Sequence, residues 1–213
     1  IQLPMGAEDQ FVGVIDLVEM KAYRYPDETM GAEDKTEEIP ADMLEEAKLS
    51  RDHLIETVSE VDDHLTDKFL KGEQITIAEL KAGIRRATIA LKLFPVVCGT
   101  AFKNKGVQPL LDAVIAYLPS PLDIPPTVAI DPDSRQPVER PCDDSAPFSG
   151  LVFKIMTDPF VGQLAFIRVY SGQMKAGDTL LNATKGTRER IGRLVKMHAN
   201  KREEIKEIYA GDI

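Results

Sequence analysis

Residues 147–172 have the sequence PFSGLVFKIMTDPFVGQLAFIRVYSG. Apolar residues alternate with more variable ones over 151–155 and again over 165–169, which is the period of a β-strand with one covered face. Turn-forming Gly and Asp residues recur at short intervals as far as Gly186. Short strands with regular turns predict a partial antiparallel β-barrel from residue 147 to residue 213.

The stretch before this region has a different character. Residues 123–146 are rich in Pro, Asp and Ser, which predicts a linker with at most a short ordered stretch. Upstream of it the hydrophobic period becomes helical. The sequence therefore predicts an α/β region followed by a β-barrel.

Two short strands are predicted near the start of the chain. Residues 11–18 and 22–25 are rich in β-branched and aromatic side chains, which favours a hairpin. Residues 26–40 are polar and turn-rich, so we expect a loop there.

A long helix is predicted after this loop. Asp42 and Glu45 have the spacing of a capping pair at its start, and Lys71-Gly72 ends it. The apolar positions have spacings of three, four and seven, and they are Ala47, Leu54, Val58, Val61, Leu65 and Phe69. Acidic residues, among them Asp62 and Asp63, occupy the other faces, which are expected to be solvated.

Two further helices are expected. Thr76 and Glu79 form a second capping box ahead of an amphipathic helix. The third helix runs from about Val107 to Leu118, with Pro109 tolerated in its first turn. Its predicted inner face consists of Leu110, Leu111, Val114, Ile115 and Leu118.

Between these two helices lies the wholly apolar run Phe94–Cys98. Such a run is typical of a strand covered on both faces, as in a parallel sheet. The polar loop 99–106 follows it. Loops at the carboxyl ends of sheet strands are where open α/β sheets bind ligands.

The bulk composition argues against a membrane-spanning, a disulfide-rich or a metal-binding protein. Mean hydropathy is −0.17, and no apolar run approaches the roughly 20 residues that a membrane-spanning helix needs. The two cysteines, Cys98 and Cys142, do not form a disulfide framework, which favours a reducing, cytoplasmic setting. The three histidines have no partners at ligand spacing, so no metal site is predicted.

We also expect the chain to be a piece of a longer protein, since it begins without Met and both ends look cut.

Cys98 and the 99–106 loop have the sequence CGTAFKNKG. This stretch resembles the last guanine-recognition motif of elongation factor G. The resemblance implies that Gly99, Thr100, Ala101 and Phe102 bind the base of GTP or GDP. In particular, the backbone N–H groups around Thr100 and Ala101 would bond the guanine carbonyl. The family often has Ser where Thr100 stands, which a backbone contact tolerates.

The resemblance extends in collinear order over nearly the whole chain. Residues 6–25 are similar to the start of the insert that this family carries in its GTP-binding domain, and 148–172 and 191–202 are similar to its second, barrel domain. It implies an insert over 1–93, the last strand and helix of a P-loop-type GTP-binding domain over 94–122, the linker over 123–146 and the barrel over 147–213.

The family's phosphate-binding and catalytic segments are absent from this sequence. There is no GxxxxGK followed by Ser or Thr, no switch segment with a catalytic His, and no Asn-Lys-x-Asp motif. The resemblance places all three upstream of residue 1. It implies a parent protein that hydrolyses GTP with Mg²⁺ and moves tRNA and mRNA on the ribosome. This chain alone is expected to have no catalytic residue, no bound nucleotide and no activity.

The net charge of −9 is unevenly distributed. Residues 28–68 are strongly acidic, whereas Lys and Arg exceed Asp and Glu from residue 147 onward. The candidates for contact with phosphates of small-subunit ribosomal RNA are Lys185, Arg188, Arg190, Arg193, Lys196, Lys201 and Arg202. Ordinary solubilising charge is the alternative, since Glu189, Glu203 and Glu204 interrupt this series.

The resemblance further implies that the insert contacts the acidic stalk protein of the ribosome and that the protein is a monomer without a membrane partner. Two alternatives stay open. One is a GTPase-independent binding module that joins an acidic helical domain to a basic-faced barrel. The other is a related ribosome-protection or release-factor GTPase, which shares the barrel, although the insert favours elongation factor G. A phosphate loop upstream of Ile1 would decide between a GTPase and a binding module.

Overall fold

A computed structural model describes residues 1–26, 31–158, 162–198 and 201–213. The chain divides into two compact units, 1–119 and 120–213. Each unit is described by itself below. Within the described residues, no helix combines the length and the apolar character needed to cross a membrane.

The first unit contains a four-stranded antiparallel sheet with strand order β1-β2-β3-β4. Its strands are β1 (Gln2–Met5), β2 (Gly13–Asp16), β3 (Lys21–Arg24) and β4 (Lys35–Glu37). The predicted hairpin is confirmed as β2 and β3. Strand β1 was not predicted, and β4 lies inside the expected loop over 26–40, of which residues 27–30 fall outside the described part.

Four α-helices complete this unit. They are α1 (Leu44–Ser59), α2 (Asp63–Leu70), α3 (Ile77–Ile89) and α4 (Val107–Tyr117). The capping box that opens α3 is confirmed, because the Thr76 hydroxyl accepts from the Glu79 N–H and the Glu79 carboxylate accepts from the Thr76 N–H.

The prediction of one long helix from Asp42 is wrong. The chain leaves helical geometry at Asp62, whose φ of −121° and ψ of 106° are extended, and α2 begins at the next residue. The Asp62 side chain caps α2, so its carboxylate is buried rather than solvated as expected. The predicted capping pair at Asp42 is wrong as well, because the N-cap of α1 is Met43 and makes no side-chain hydrogen bond.

Two buried clusters form the core of this unit. One joins β1, β2 and β3 to α1, and its buried members are Met5, Ile15, Leu17, Ala22, Ile39 and Ala47. The other joins the helices to the turn after β2, and its buried members are Val18, Val58, Leu65, Ile75, Leu80, Ile84 and Tyr117. The predicted stripe is buried at Ala47, Val58 and Leu65, whereas Phe69 is 43% exposed because α2 has its own orientation after the break.

The predicted strand over 94–98 is absent. These residues have no assigned secondary structure, and Phe94 and Val96 are 73% and 69% exposed. The physical reason is that a strand needs a ladder partner. Here the backbone bonds instead to a terminus and a side chain: the amino group of Ile1 donates to the Val96 carbonyl, and the Cys98 N–H donates to the Gln2 side chain.

The predicted inner face of α4 is also wrong in this structure. Its members are 43–79% exposed: Leu110, Leu111, Val114, Ile115 and Leu118. The helix instead packs through Ala113, Ala116 and Tyr117. Arg85 of α3 fixes the carboxyl end of α4 by donating to the Ala116 and Leu118 carbonyls at 3.0 Å each.

The second unit consists of antiparallel two-stranded ribbons. The pairs are β5 (Thr127–Ile130) with β6 (Pro137–Arg140), β7 (Ser149–Asp158) with β8 (Gly162–Ser171), β9 (Met174–Lys175) with β14 (Glu207–Ile208), β10 (Thr179–Asn182) with β11 (Thr187–Arg190), and β12 (Leu194–His198) with β13 (Lys201–Ile205). The β5–β6 hairpin gives the expected linker more order than predicted.

The antiparallel strands from residue 147 onward are confirmed, and the period-two stretch forms β7 and β8. Four of the strands meet in one cluster, whose buried members are Val169, Met174, Leu194 and Ile208. Among the described residues the ribbons do not close into a barrel. The apolar residues 151–156 of β7 are accordingly largely exposed.

Candidate base-binding loop and basic ribbons

The 99–106 loop is closed by a pair of backbone hydrogen bonds. The Thr100 N–H donates to the Lys105 carbonyl at 2.9 Å, and the Lys105 N–H donates to the Thr100 carbonyl at 3.2 Å. Between them, residues 101–103 form a single 3₁₀ turn that ends at Asn104, whose φ of 53° is left-handed. The loop is therefore a tight hairpin-like turn with a defined backbone.

Two glycines allow the ends of the loop to meet. Gly106 has a φ of 88°, and a Cβ at this position would lie 2.6 Å from the Cys98 carbonyl oxygen. A Cβ on Gly99 would lie 2.9 Å from the Lys105 carbonyl oxygen. Both spaces are too small for any larger residue, so the narrow neck of the loop depends on these glycines.

The tip of the loop presents backbone donors and one aromatic ring to solvent. The Thr100 N–H is already engaged with Lys105, whereas within the described residues the N–H groups of Ala101 and Phe102 have no acceptor. These are the unpaired donors expected at the start of a helical turn. The Ala101 methyl group leaves them accessible, and the Phe102 side chain is fully exposed. Of the two amides that the sequence singled out, only that of Ala101 is available here.

The base of the loop is tied to the first part of the chain by three side chains. Lys105 is only 3% exposed, and its Nζ donates to the Phe11 carbonyl at 3.3 Å. Lys103 is exposed, and its Nζ donates to the Asp9 carbonyl at 3.4 Å. Gln108 donates to the Gly31 carbonyl at 3.0 Å. These contacts are not predictable from the sequence, because a single sequence does not distinguish a buried Lys from an exposed one.

The β10–β11 ribbon brings two of the predicted RNA-contact residues together. Arg188 lies opposite Leu181 and Arg190 lies opposite Thr179, so the two guanidinium groups share one exposed face. Lys185, in the turn, lies 3.8 Å from the Glu189 carboxylate. Its charge is therefore partly balanced, and Arg188 and Arg190 form the clearer pair.

The β12–β13 ribbon distributes its charges differently. Lys201 lies opposite His198 and Arg202 lies opposite Met197, so consecutive residues of β13 point to opposite faces. Lys196 lies directly opposite Glu203 in the same register. Arg193 is exposed just before β12. The structure thus does not bring Lys201 and Arg202 onto one face of the ribbon.

Acidic side chains are exposed along α1 of the first unit. Within the described residues, no group of three or more His, Cys, Asp or Glu side chains could hold a metal ion. Glu45, Glu46 and Glu56 are exposed on α1. Asp62 differs from these residues, because its side chain is buried and forms an ion pair with Arg86.

Two comparisons relate the chain to known proteins. The family model "Elongation factor G domain 2" matches residues 147–213. A crystal structure of a protein from Thermus thermophilus is similar to 99% of this chain, with 30% sequence identity and a TM-score of 0.74. The chain spans 28% of the length of that protein. Residues 147–213 therefore match domain 2 of elongation factor G, and the two matches together support an elongation factor G fragment.

Proposed function

We propose that this chain is part of a ribosomal translocase, a GTPase that couples GTP binding and hydrolysis to the movement of tRNA and mRNA. The family match and the collinear similarity over 99% of the chain support this proposal. GTP or GDP with Mg²⁺ is the proposed cofactor of the whole protein, which works in the cytoplasm. We propose that the segments that hold the phosphates and the attacking water belong to the part of the protein outside these 213 residues, since the motifs do not occur in this sequence.

The observation that carries the proposal is the Ala101 N–H at the tip of the 99–106 loop, which has no acceptor among the described residues. It is held in a defined backbone by the Thr100–Lys105 hydrogen bonds, and only a methyl group stands beside it. A backbone donor in this setting can bond the carbonyl oxygen of a guanine base, and an adenine amino group would be repelled. We propose that this contact contributes to guanine selectivity.

The exposed apolar surface of the first unit favours a GTPase over an independent binding module. Leu110, Leu111 and Ile115 on α4 are 45%, 56% and 79% exposed, and Phe94 is 73% exposed. Large apolar side chains exposed in this number favour a covering partner in solution. We propose that the remaining sheet of a GTP-binding domain covers it, with 94–98 pairing as a strand once that sheet is present.

The chain alone should neither hydrolyse GTP nor bind nucleotide measurably. The 99–106 loop offers a few hydrogen bonds of about 1 kcal/mol net each, which do not outweigh the several kcal/mol that association costs. Micromolar binding of a guanine nucleotide to the isolated chain, measured by titration calorimetry, would contradict this expectation.

Ribosomal RNA and the stalk protein are the proposed partners. We propose that the face with Arg188 and Arg190 contacts phosphates of small-subunit RNA, because arginines on a strand offer charge without a groove-reading element. Lys185, Arg193, Lys201 and Arg202 are secondary candidates. We further propose that the acidic first unit contacts the ribosomal stalk.

The test of the proposed base contact uses the full-length protein that contains this chain. Ala101→Phe should place a ring beside the exposed amide and lower the affinity for GDP at least about tenfold. This loss corresponds to one neutral hydrogen bond that is no longer made, together with the clash between the ring and the base. Ala101→Gly, which leaves the amide open, is the matched control and should bind GDP with nearly unchanged affinity. Equal GDP affinity of Ala101→Phe and the unaltered protein would remove the 99–106 loop from the binding site.

A further inference from the structure

Lys105 is a buried cation at the base of the 99–106 loop. It is 3% exposed, although Lys is almost never buried unless its ammonium group is satisfied. Burial of an unpaired charge is strongly unfavourable, so the position of the ammonium group is closely constrained by its acceptors. One of these acceptors is the Phe11 carbonyl, 3.3 Å from Nζ.

Phe11 belongs to a buried, hydrogen-bonded part of the first unit. It ends the 3₁₀ turn Glu8–Gln10 and is itself 7% exposed. The next residue, Val12, donates its N–H to the carbonyl of Met5, the last residue of β1, and its own carbonyl accepts the N–H of Tyr25, the residue after β3. The Lys105 side chain therefore connects the loop to the segment that leads into β2.

The backbone of Lys105 is connected to the other side of the loop. Its carbonyl accepts from the Thr100 N–H, and its N–H donates to the Thr100 carbonyl. Thr100 immediately precedes Ala101, whose N–H is the proposed base donor. One residue thus joins the sheet, through its side chain, to the two hydrogen bonds that orient the loop tip.

We propose that Lys105 is a positioning residue for guanine selectivity: it holds the 99–106 loop against the sheet so that the Ala101 N–H keeps its direction toward the base carbonyl. This inference rests on the proposed function of the loop. Gln108 assists from the far side by donating to the Gly31 carbonyl at 3.0 Å. The close approach of Gly31 to the Asn104 carbonyl leaves the loop little freedom to shift in that direction.

The experiment compares two nucleotides on the full-length protein. GDP carries a carbonyl oxygen where 2,6-diaminopurine riboside diphosphate carries an amino group, and the phosphates are identical. Each affinity is measured by displacement of a fluorescent GDP analogue. The ratio of the two affinities reports recognition of the edge of the base that carries N1 and the group at position 6, since the ribose and the phosphates are the same. A general loss of fold lowers both affinities equally and leaves the ratio unchanged.

Lys105→Met keeps the length of the side chain and removes the ammonium group. We expect the ratio to fall about tenfold, as for one hydrogen bond to a charged group. Lys105→Arg should retain most of the ratio, since its guanidinium group can reach the same carbonyl. Lys48→Met is the matched control, because Lys48 is an exposed Lys on α1 outside the loop, so the affinity ratio of this variant should change less than about twofold.

An unchanged ratio in a folded Lys105→Met protein, or an equal loss for both nucleotides, overturns the inference. If Lys105→Met does not fold, Lys105→Gln, which keeps a polar end of shorter reach, decides: about a threefold fall in the ratio supports the inference, and no change overturns it. Failure of the proposed function gives a different result, because Ala101→Phe would then leave the GDP affinity unchanged. A loss with Ala101→Phe and none with Lys105→Met rejects only the positioning role.

Discussion

The carboxylate of Asp62 accepts two hydrogen bonds from the guanidinium group of Arg86, from Nε at 2.7 Å and from Nη2 at 2.9 Å. The same carboxylate accepts the Leu65 N–H at 3.1 Å, so it caps α2 while it is bound to α3. The Asp62 side chain is 4% exposed and that of Arg86 is 44% exposed. One carboxylate therefore closes the break between α1 and α2 and joins both to the next helix.

Replacement of Asp62 should destabilise the first unit. Asp62→Ala removes both the cap and the ion pair and should lower the free energy of unfolding by about 2–3 kcal/mol, because Arg86 is left without its buried partner. Asp62→Asn keeps a capping oxygen and should cost less, about 1 kcal/mol. Urea unfolding of the three proteins measures the difference. Asp63→Asn, one position along and exposed, is the control, and an equal effect at both positions would contradict the role of Asp62.

The Asp62–Arg86 pair should make stability depend on pH in acid. The Arg86 guanidinium beside Asp62 lowers the pKa of that carboxyl below its ordinary value. A lowered carboxyl pKa contributes stability above the unfolded pKa of about 3.9, and this contribution is lost as the pH falls through the folded pKa. Arg86→Met should therefore be less stable than the unaltered protein at pH 7. The difference in the free energy of unfolding between the two proteins should become smaller below about pH 4. A gap that stays constant from pH 7 to pH 3 in urea titrations would argue against this linkage.

Gly172 and Gly186 should respond differently to the same substitution. Both have a positive φ, 71° and 68°. A Cβ on Gly172 would lie 2.6 Å from the Ala146 carbonyl oxygen and from the Phe148 nitrogen, whereas a Cβ on Gly186 would meet nothing within 4 Å. Gly186→Ala should cost about 1 kcal/mol from backbone strain alone. Gly172→Ala should cost about 3 kcal/mol or more, because the backbone itself must move. Thermal unfolding of both variants tests this, and equal losses would show that the close contact at Gly172 relaxes freely.

Arg188 and Arg190 should help to hold the full-length protein on the ribosome. Replacement of both by Ala should weaken ribosome association and reduce its dependence on salt, because phosphate contacts release counterions. The affinity for GDP should stay the same, and stability should change by less than about 0.5 kcal/mol, since both residues are exposed on β11. Binding measured across a series of salt concentrations gives both the affinity and the slope.

Lys185→Ala is the control for this double variant. Lys185 carries the same charge on the same ribbon, but it lies 3.8 Å from the Glu189 carboxylate, so its loss should have the smaller effect. Unchanged ribosome affinity and salt slope in the double variant would leave Arg188 and Arg190 as solubilising charge. Lys201 and Arg202 on β13 would then be tested in their place.

Local patterns in the sequence were sufficient for part of the structure. The Thr76–Glu79 capping box and the alternation over 151–155 and 165–169 involve groups that are a few residues apart, so their geometry follows from backbone stereochemistry and short-range hydrogen bonds. The collinear similarity to elongation factor G also needed only the sequence. The roles of Gly99, Thr100, Ala101 and Phe102 toward a base stay predictions.

Other features depended on contacts between residues that are distant in the chain. Nothing local distinguishes Asp62 from Asp63, or Lys105 from Lys103, yet in each pair one side chain is buried and the other is exposed. The partners that decide this, Arg86 for Asp62 and the Phe11 carbonyl for Lys105, lie 24 and 94 residues away. Likewise, an apolar periodicity shows that α4 has a face to bury, but which side meets the core depends on the elements packed against it. The sequence by itself therefore determined the capping box of α3, the alternation in β7 and β8 and the similarity to elongation factor G. Tertiary packing alone decided which charges are buried, because burial is a property of the assembled neighbours.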